Sequence, residues 1–294
     1  PETDFWSWDG ASWERITPSG GPQGREAFGM VYDHRRDRIV VYGGFSGSGN
    51  CDGSGDSFCE GTWEYAPGGN WWSSERCRFT PCRQNRPTRR YAVGMAYDAG
   101  RGRAVIFGGS AGTTAHCDWP STYHHCRSTA EWDGSWWHPR GPANVGSGVP
   151  LERTGAAMAF NHYYNRLWLF GGESSYSSCE GSGDSFCRYM WGWDGGSWER
   201  WLPSGDWPTS RHNAAMVSNG WTYVYLYGGR NSESGCDEGV ANSEYCDELW
   251  RWSTSAWTRV STSGWGPGGR ENHAMAYDSS RNELLVVGGY YDTS

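Results

Sequence analysis

The sequence predicts an all-β protein built from five copies of one four-stranded antiparallel unit. Three recurring features support this fold class: an Arg followed five residues later by Met, an apolar run that ends in a Gly pair, and an aromatic hairpin. The Arg residues that open the copies are 65, 63, 58 and 59 residues apart. Self-similarity at a nearly fixed period indicates a repeat architecture. We therefore expect residues 1–294 to form one domain.

The first element is a hairpin over Asp4–Thr17, with a turn at Asp9–Gly10. Asp-Gly between aromatic runs is a strong hairpin signal. Related stretches occur at 62–72, 130–139, 190–201 and 249–260. In four copies an aromatic pair five residues apart brackets the turn, namely Trp8/Trp13, Trp132/Trp137, Trp193/Trp198 and Trp252/Trp257. In the remaining copy Tyr65 and Trp72 are seven residues apart.

A strand pair follows each Arg. The Arg–Met stretch is one strand, a short polar turn such as 33–38 comes next, and a mostly apolar strand such as RIVVYGG ends the pair. Apolar runs of this length, bounded by turn residues, indicate buried strands. The Gly pairs are Gly43–Gly44, Gly108–Gly109, Gly171–Gly172, Gly228–Gly229 and Gly288–Gly289.

The combination of an Arg-x-x-x-x-Met strand, a Gly-Gly strand and a later Trp resembles the kelch repeat over essentially the whole chain. The resemblance implies a β-propeller whose blades are four-stranded antiparallel sheets, here five blades. The two ends of the sequence look like complementary halves of one blade. We therefore expect Asp4–Thr17 to pair beside Arg270–Tyr290 and close the ring, which would remove an exposed edge. Gly289 and Trp8 would be joined over 13 residues, where other repeats use 21–23; a short loop or a trimmed terminus would explain this.

Composition limits the function. The chain has no Lys, 25 Arg and a net charge of −8, which makes nucleic acid and anionic membranes unlikely partners. No apolar run approaches the ~18 residues of a membrane span. The ten Cys form five close pairs, and we expect the disulfides Cys51–Cys59, Cys77–Cys82, Cys117–Cys126, Cys179–Cys187 and Cys236–Cys246. Such pairing indicates an oxidising, extracellular or cell-surface location, with zinc as the alternative.

All long loops and all Cys gather on one face of the array, and the repeated Arg residues lie near it. A ring of Arg25, Arg90, Arg153, Arg211 and Arg270 could bind a carboxylate, sulfate or phosphate. The alternative is a structural role in every blade. The next residues differ between repeats, as a specific pocket requires: Glu26, Tyr91, Thr154, His212 and Glu271. The loop tryptophans Trp119, Trp207 and Trp265 could stack on sugar rings or cap blade ends.

Two metal sites are weaker hypotheses. The loops CDGSGDSFC and CEGSGDSFC carry Asp52, Asp56, Glu180 and Asp184, which resemble half of an acidic calcium loop. The alternative is a disulfide-tied loop with solvated acids. His116, His124 and His125 beside Cys117 and Cys126 suggest a transition metal, although loop histidines are the simpler explanation.

The sequence lacks phosphate-loop and dinucleotide-binding motifs. We therefore predict a secreted, non-enzymatic recognition module without an obligatory cofactor, which binds an extracellular carbohydrate ligand on the long-loop face. A protein–protein or assembly module is the first alternative. A glycan-active enzyme is the second, and it would need two converging carboxylates.

Overall fold

The computed structural model describes residues 3–47, 49–53, 55–74, 86–112, 117, 124–140, 148–232, 235–236, 244–253, 255–262 and 266–291. This part of the chain contains twenty β-strands and one short 3-10 turn at Cys51–Gly53. The prediction of an all-β fold is therefore confirmed. Within the same residues, no helix has the length and hydropathy needed to cross a membrane.

Four sheets are complete blades of four antiparallel strands, and their strand order follows the chain. Blade 1 contains β3 (Gly29–Asp33), β4 (Arg38–Tyr42), β5 (Thr62–Tyr65) and β6 (Trp71–Ser73). Blade 2 contains β7 (Gly94–Asp98), β8 (Arg103–Phe107), β9 (Thr129–Trp132) and β10 (Trp137–Pro139). Blade 3 contains β11 (Ala157–Asn161), β12 (Arg166–Phe170), β13 (Met190–Trp193) and β14 (Trp198–Trp201). Blade 4 contains β15 (Ala215–Ser218), β16 (Val224–Tyr227), β17 (Leu249–Ser253) and β18 (Ala256–Val260).

Two further sheets have two strands each. The N-terminal hairpin consists of β1 (Phe5–Trp8) and β2 (Trp13–Ile16). The fifth strand pair consists of β19 (Ala274–Asp278) and β20 (Glu283–Val287). The five Arg–Met and Gly-Gly strand pairs predicted from the sequence are thus all present.

The first strand of each repeat is the innermost one, and β3, β7, β11, β15 and β19 pack side by side in that order. A backbone ladder joins them, in which the second residue after each Arg donates its N–H to its counterpart in the preceding repeat. The N···O distances are 2.7 Å for Ala92 to Ala27, 2.8 Å for Gly155 to Ala92, 2.7 Å for Asn213 to Gly155 and 3.0 Å for Asn272 to Asn213.

All five ladder residues have φ between 48° and 66°. This left-handed conformation suits Gly and Asn, whereas a β-branched side chain would be strained there. The sequence accordingly places Ala, Gly or Asn at this position in every repeat.

In blades 2 and 3, hydrogen bonds from the hairpin tryptophans join the blade to the one before it. The indole N–H of Trp132 donates to Glu64 at 2.7 Å, and that of Trp193 donates to Glu131 at 3.0 Å. The second tryptophan of these two hairpins donates its indole N–H to a threonine hydroxyl of the preceding blade. Trp137 donates to Thr62 and Trp198 donates to Thr129, both at 2.8 Å. The five-residue spacing follows from the register, because the two rings of each hairpin lie on directly paired residues.

The expected pairing of Asp4–Thr17 beside Arg270–Tyr290 is not formed. Both segments lie within the described residues, yet β1 pairs only with β2, and β19 only with β20. The hairpin is instead positioned by Phe5, whose ring lies 5.0 Å from that of Tyr65 in blade 1. Four of the five predicted blades have the predicted four antiparallel strands, whereas the fifth strand pair remains a two-stranded sheet.

Four of the predicted disulfides are confirmed: Cys51–Cys59, Cys117–Cys126, Cys179–Cys187 and Cys236–Cys246. The predicted Cys77–Cys82 pair lies outside the described residues. In each observed loop, the N–H of the second Cys donates to the carbonyl of the second Gly of the repeat, as between Cys59 and Gly44 at 2.9 Å. The disulfides therefore close the long loops against the ends of the buried strands.

Reduction of these disulfides is expected to loosen the loops without unfolding the blades. Each bridge closes a loop of only 8 to 10 residues, so its chain-entropy contribution is about 2–3 kcal/mol. Far-ultraviolet circular dichroism at 25 °C, before and after reduction, should show a retained β-sheet spectrum. Loss of that spectrum on reduction would show that the disulfides hold the propeller together.

Candidate ligand-binding site on the long-loop face

Four of the five repeated Arg side chains are buried in the framework, with at most 7% of the residue exposed. Each guanidinium bridges two backbone carbonyls of its own repeat. The Nε of Arg153 donates to Leu151, two residues earlier, at 3.0 Å, and its Nη1 donates to the first Gly of the pair, Gly171, at 3.1 Å. The same two contacts recur at Arg25, Arg90 and Arg211.

The remaining N–H groups of these guanidiniums donate to side-chain oxygens. Arg25 pairs with Asp52 at 2.5 Å, Arg153 pairs with Glu180, and Arg211 pairs with Glu248 at 3.0 Å. Arg90 uses the hydroxyls of Thr88 and Ser128 instead. The geometry therefore gives these four Arg the structural role, and their predicted contact with a ligand is corrected because the guanidinium groups are enclosed by the protein.

Arg270 differs because it is half-buried and its hydrogen bonds are exposed to solvent. It retains the two carbonyl contacts, to Gly268 at 3.0 Å and Gly288 at 2.8 Å. Its guanidinium also lies over the Tyr291 ring, 5.5 Å from the centroid. Arg270 is thus the member of the ring that a ligand could reach.

Each of the acids proposed to bind calcium already has a hydrogen-bond or ion-pair partner in the protein. Asp52 accepts from Trp63 at 3.0 Å as well as from Arg25, and Glu180 accepts from Trp191 at 3.2 Å as well as from Arg153. Asp56 pairs with Arg89 at 3.1 Å. Asp184 accepts from the Ser210 hydroxyl at 2.9 Å.

Calcium requires several oxygen ligands directed at one point. The carboxylate of Asp52 does lie close to the Cys51 and Cys59 sulfurs, but those atoms form a disulfide and offer no thiolate. Calcium binding by these acids remains a prediction, and the described contacts give it no support.

The predicted loop aromatics and histidines have varied surroundings. Trp207 is half-buried, with its ring 5.8 Å from Tyr189 and the Arg188 guanidinium 4.9 Å from it. Trp119, Trp265 and His116 lie outside the described residues. His124 is exposed, with Nδ1 2.8 Å from the Gly112 carbonyl, and burial lowers the pKa of the half-buried His125.

The residues that follow the Arg ring do form a layer at the loop ends of the inner strands. Each pairs through its backbone with the residue after the Gly pair: Glu26 with Phe45, Tyr91 with Ser110, Thr154 with Glu173, His212 with Arg230, and Glu271 with Tyr290. We call these ten residues the mouth layer. Their backbone positions repeat, whereas their side chains differ in every blade.

One side of the mouth layer is aromatic. The Tyr91 ring lies 6.2 Å from Phe45 and 5.5 Å from Phe58, and the two Phe rings are 5.4 Å apart. Tyr91 is half-buried, while Glu26 beside it is exposed. This side offers flat apolar surface with one phenol hydroxyl.

The other side is an acidic cluster around one imidazole. His212 Nδ1 lies 3.2 Å from Glu173, and His212 Nε2 lies 3.6 Å from Glu271. Asn213 donates its side-chain amide to Glu271 at 2.8 Å. The Glu173 side chain is 38% exposed, against 14% for His212 and 10% for Glu271. Glu173 is therefore the member most open to solvent.

His212 also sets the charge of this cluster. Its hydrogen bond holds the pKa of the Glu173 carboxyl below its ordinary value, and this effect outweighs the opposing desolvation. Glu173 consequently stays ionised at neutral pH and presents hydrogen-bond acceptors. Fixed carboxylates beside an imidazole and aromatic rings can bind a ligand rich in hydroxyl groups.

Sequence reasoning missed Glu173, Phe45 and Phe58. Glu173 and Phe45 directly follow the Gly pairs Gly171–Gly172 and Gly43–Gly44, and each bridges to the residue after the repeated Arg. That offset could have identified them. The contact between Phe58 and Tyr91 joins two different blades, and no spacing within one repeat indicates it.

His273, next to this cluster in the chain, is expected to make stability depend on pH. Burial, aided by the charge of Arg270, lowers its pKa to about 4, and its ring packs 5.5 Å from Tyr227. The unfolded chain takes up a proton near pH 6.5 and the folded chain only near pH 4, so stability falls as the pH drops through that interval. We expect a loss on the order of 2–3 kcal/mol.

Urea unfolding at pH 7 and pH 4.5 measures this loss. A His273→Phe variant should lose less stability on acidification than the unmodified protein, because the ring remains and the titration is removed. An unaltered pH dependence in H273F would contradict the assignment.

The family of this chain follows from comparison with known proteins. The family model described as KLHDC2/KLHL20/DRC7 Kelch-repeats domain matches residues 70–289. The chain belongs to the kelch-repeat family. The kelch resemblance inferred from the Arg–Met and Gly-Gly strands is thereby confirmed, and a kelch propeller is a fold of interaction and recognition modules.

The solved structure titled "Structure of YjhT" has a similar fold, with a TM-score of 0.62 and 15% sequence identity. The match covers 97% of this chain and 83% of that chain. A search of curated proteins gives no match. At this identity the similarity establishes the fold, and the function has to be argued from the site.

Proposed function

We propose that this kelch propeller is a recognition module that binds carbohydrate in the mouth layer. The observation that carries the proposal is the acidic cluster of Glu173, His212 and Glu271 in the same layer as the Phe45, Phe58 and Tyr91 rings. Carboxylates accept hydrogen bonds from sugar hydroxyls, and aromatic rings pack against the apolar face of a pyranose.

The charges favour a neutral sugar over an acidic one. Four Arg residues that could bind a carboxylate or sulfate are buried and paired within the framework. The groups that remain accessible near the cluster include the ionised Glu173, and the whole chain carries a net charge of −8. An anionic ligand would be repelled there unless it reached Arg230, which pairs with Glu244 at 2.7 Å, or Arg270.

The four disulfides are compatible with an extracellular protein. We propose that the protein is secreted and meets its ligand outside the cell or at a cell surface. A kelch propeller also suits protein partners, so an assembly module on the long-loop face is the alternative.

A glycan array with the oxidised protein, run with calcium and with chelator, tests the proposal. We expect binding to a neutral glycan class, indifferent to chelator, and at least ten-fold weaker in Glu173→Gln. Glu26→Gln is the matched control, because Glu26 is exposed in the same layer on the aromatic side. Absence of glycan binding, or equal binding by E173Q, would refute a site at the acidic cluster. Loss of binding when chelator is added would instead support calcium binding by the loops that carry Asp52, Asp56, Glu180 and Asp184.

The same cluster favours one second candidate, a glycan-active enzyme. Glycoside hydrolysis uses two carboxylates about 5–10 Å apart, and here two carboxylates approach opposite nitrogens of one imidazole. Incubation with the glycans that bind, followed by product analysis, separates the two functions. Products that appear with the unmodified protein and not with Glu271→Gln would identify an enzyme.

A further inference from the structure

We infer that the protein binds one divalent transition-metal ion, of the zinc, nickel and copper group, between the imidazoles of His34 and His162. Both residues lie in the short turns that join the first strand of a blade to the second, His34 after β3 and His162 after β11. These turns are at the opposite end of the inner strands from the mouth layer. The inference is therefore independent of the carbohydrate proposal.

The two histidines meet although they belong to different blades. Their ring centroids are 6.5 Å apart, and the ring planes are inclined by 37°. A zinc–nitrogen bond is about 2.0–2.1 Å long, so two imidazoles that share one ion have ring centres on the order of 5–6.5 Å apart. Both side chains are exposed, and a small rotation of either is enough to direct one nitrogen of each ring at a common ion.

The turn of blade 2 holds these two turns together. Blade 2 lies between blades 1 and 3, and its turn carries Ala99 at the position of the histidines. Arg35 of blade 1 donates its Nη2 to the carbonyls of Ala99 at 2.9 Å and Gly100 at 2.8 Å. On the other side, the Oδ1 atom of Asn165 in blade 3 occupies the space that a side chain at Gly100 would fill. The small residues of the central turn therefore let the two outer turns approach each other.

Two buried aromatic rings support the imidazoles. The His34 ring packs edge-on against Tyr97, with centroids 5.0 Å apart. The His162 ring packs in the same way against Phe160, also at 5.0 Å. Tyr97 and Phe160 are 9% and 8% exposed and occupy equivalent positions of adjacent inner strands. Each imidazole thus rests on a fixed ring, which reduces the rotamer freedom that metal binding would remove.

Both imidazoles have nitrogens available for coordination. Within the described part of the chain, neither ring has a hydrogen-bond or ion-pair partner, whereas His138 pairs with Asp133 at 2.7 Å. Burial lowers the pKa of His162, and the neighbouring His34 adds to this effect, so the His162 imidazole is neutral at pH 7. A neutral imidazole is the form that binds a metal ion.

The ligand atoms decide which ions fit. Imidazole nitrogen suits zinc, copper and nickel, whereas calcium and magnesium prefer oxygen. Two protein ligands leave two positions of a tetrahedral ion for water or for a donor atom of a ligand. The aspartates that begin the turns of blades 1 and 2 are engaged elsewhere, since Asp33 pairs with Arg36. Asp98 pairs with Arg101 in the same way. The short-turn face thus carries an accessible ion with open coordination positions.

Calorimetric titration of the intact protein with zinc at neutral pH tests the site. We expect one ion per chain and no comparable heat from calcium. His34→Ala and His162→Ala should each weaken zinc binding at least ten-fold, because each removes one of the two ligands. Both side chains are exposed, so the circular dichroism spectrum should not change. Zinc should raise the thermal unfolding midpoint of the unmodified protein and of neither variant, because the ion ties blade 1 to blade 3.

Copper(II) distinguishes one shared ion from two separate ones. With less than one equivalent of copper, electron paramagnetic resonance should show two imidazole nitrogens on one ion in the unmodified protein, and one in His162→Ala. His124→Ala is the matched control, because His124 is also exposed but lies in a long loop, and it should bind both metals as the unmodified protein does. Absence of zinc binding, undiminished binding in H34A or H162A, or a single imidazole on copper in the unmodified protein would overturn the inference.

Discussion

Arg211→Ala is expected to lower the free energy of unfolding by about 3–5 kcal/mol. Arg211 and Glu248 are both 0% exposed in their side chains and pair at 3.0 Å. Removing the guanidinium leaves a buried carboxylate without its cation and takes the donor from the Gly228 carbonyl. Chemical denaturation, followed by tryptophan emission, measures the change.

Arg270 provides the matched control for this substitution. It occupies the same position of the fifth repeat and makes the same two carbonyl contacts, but it is only half-buried and those contacts are exposed to solvent. Arg270→Ala should cost less than about 1 kcal/mol, as is usual for surface contacts. If the two variants lost equal stability, the framework role assigned to the buried Arg residues would be wrong.

Trp193→Ala is the second substitution with a large expected effect, again about 3–5 kcal/mol. Trp193 is 2% exposed in the largest core cluster, and its indole donates to Glu131 of the preceding blade at 3.0 Å. The variant loses a large buried ring, leaves a cavity between two blades and removes a donor from a fully buried carboxylate. The thermal unfolding midpoint and the urea midpoint should both fall.

Trp8 is the control, because it is the counterpart of Trp193 in the N-terminal hairpin and is 37% exposed. Trp8→Ala should change stability by less than about 1 kcal/mol. A loss comparable to that of Trp193→Ala would contradict the difference in burial between the two tryptophans.

The fold was largely predictable because the repeat carries its own local signals. Gly pairs and Asp-Gly turns end the strands, and the spacing of Trp193 and Trp198 fixes the register of their hairpin. These signals all lie within one repeat of about sixty residues, so the same pattern could be recognised five times along the chain. The disulfides could be predicted because both cysteines of each pair lie in the same loop.

Closure was not predictable in the same way. The pattern identifies β1–β2 as the outer half of a blade, but it does not say which strand pair that half adjoins. The contacts that decide this, Arg281 beside Gly10 and Phe5 beside Tyr65, lie between neighbouring repeats.

The candidate site was predicted in position and only partly in chemistry. The sequence singled out His212, Glu271 and Tyr91 because the residue after each Arg varies. It did not show that Arg153 and Arg211 turn inward, because a buried ion pair with Glu180 or Glu248 depends on a partner 27 or 37 residues away. Glu173 joined the site only through its contact with His212 of the next blade.

Hydrogen exchange of β20 tests most directly whether the N-terminal hairpin pairs with the fifth strand pair. Because β20 pairs only with β19 within the described residues, amides in residues 283–287 that do not bond to β19 should exchange far faster than their counterparts in β16, residues 224–227, which β17 covers. Equal protection of the two strands would contradict this account, because it would show that the N-terminal hairpin pairs with β20 and closes a five-bladed ring.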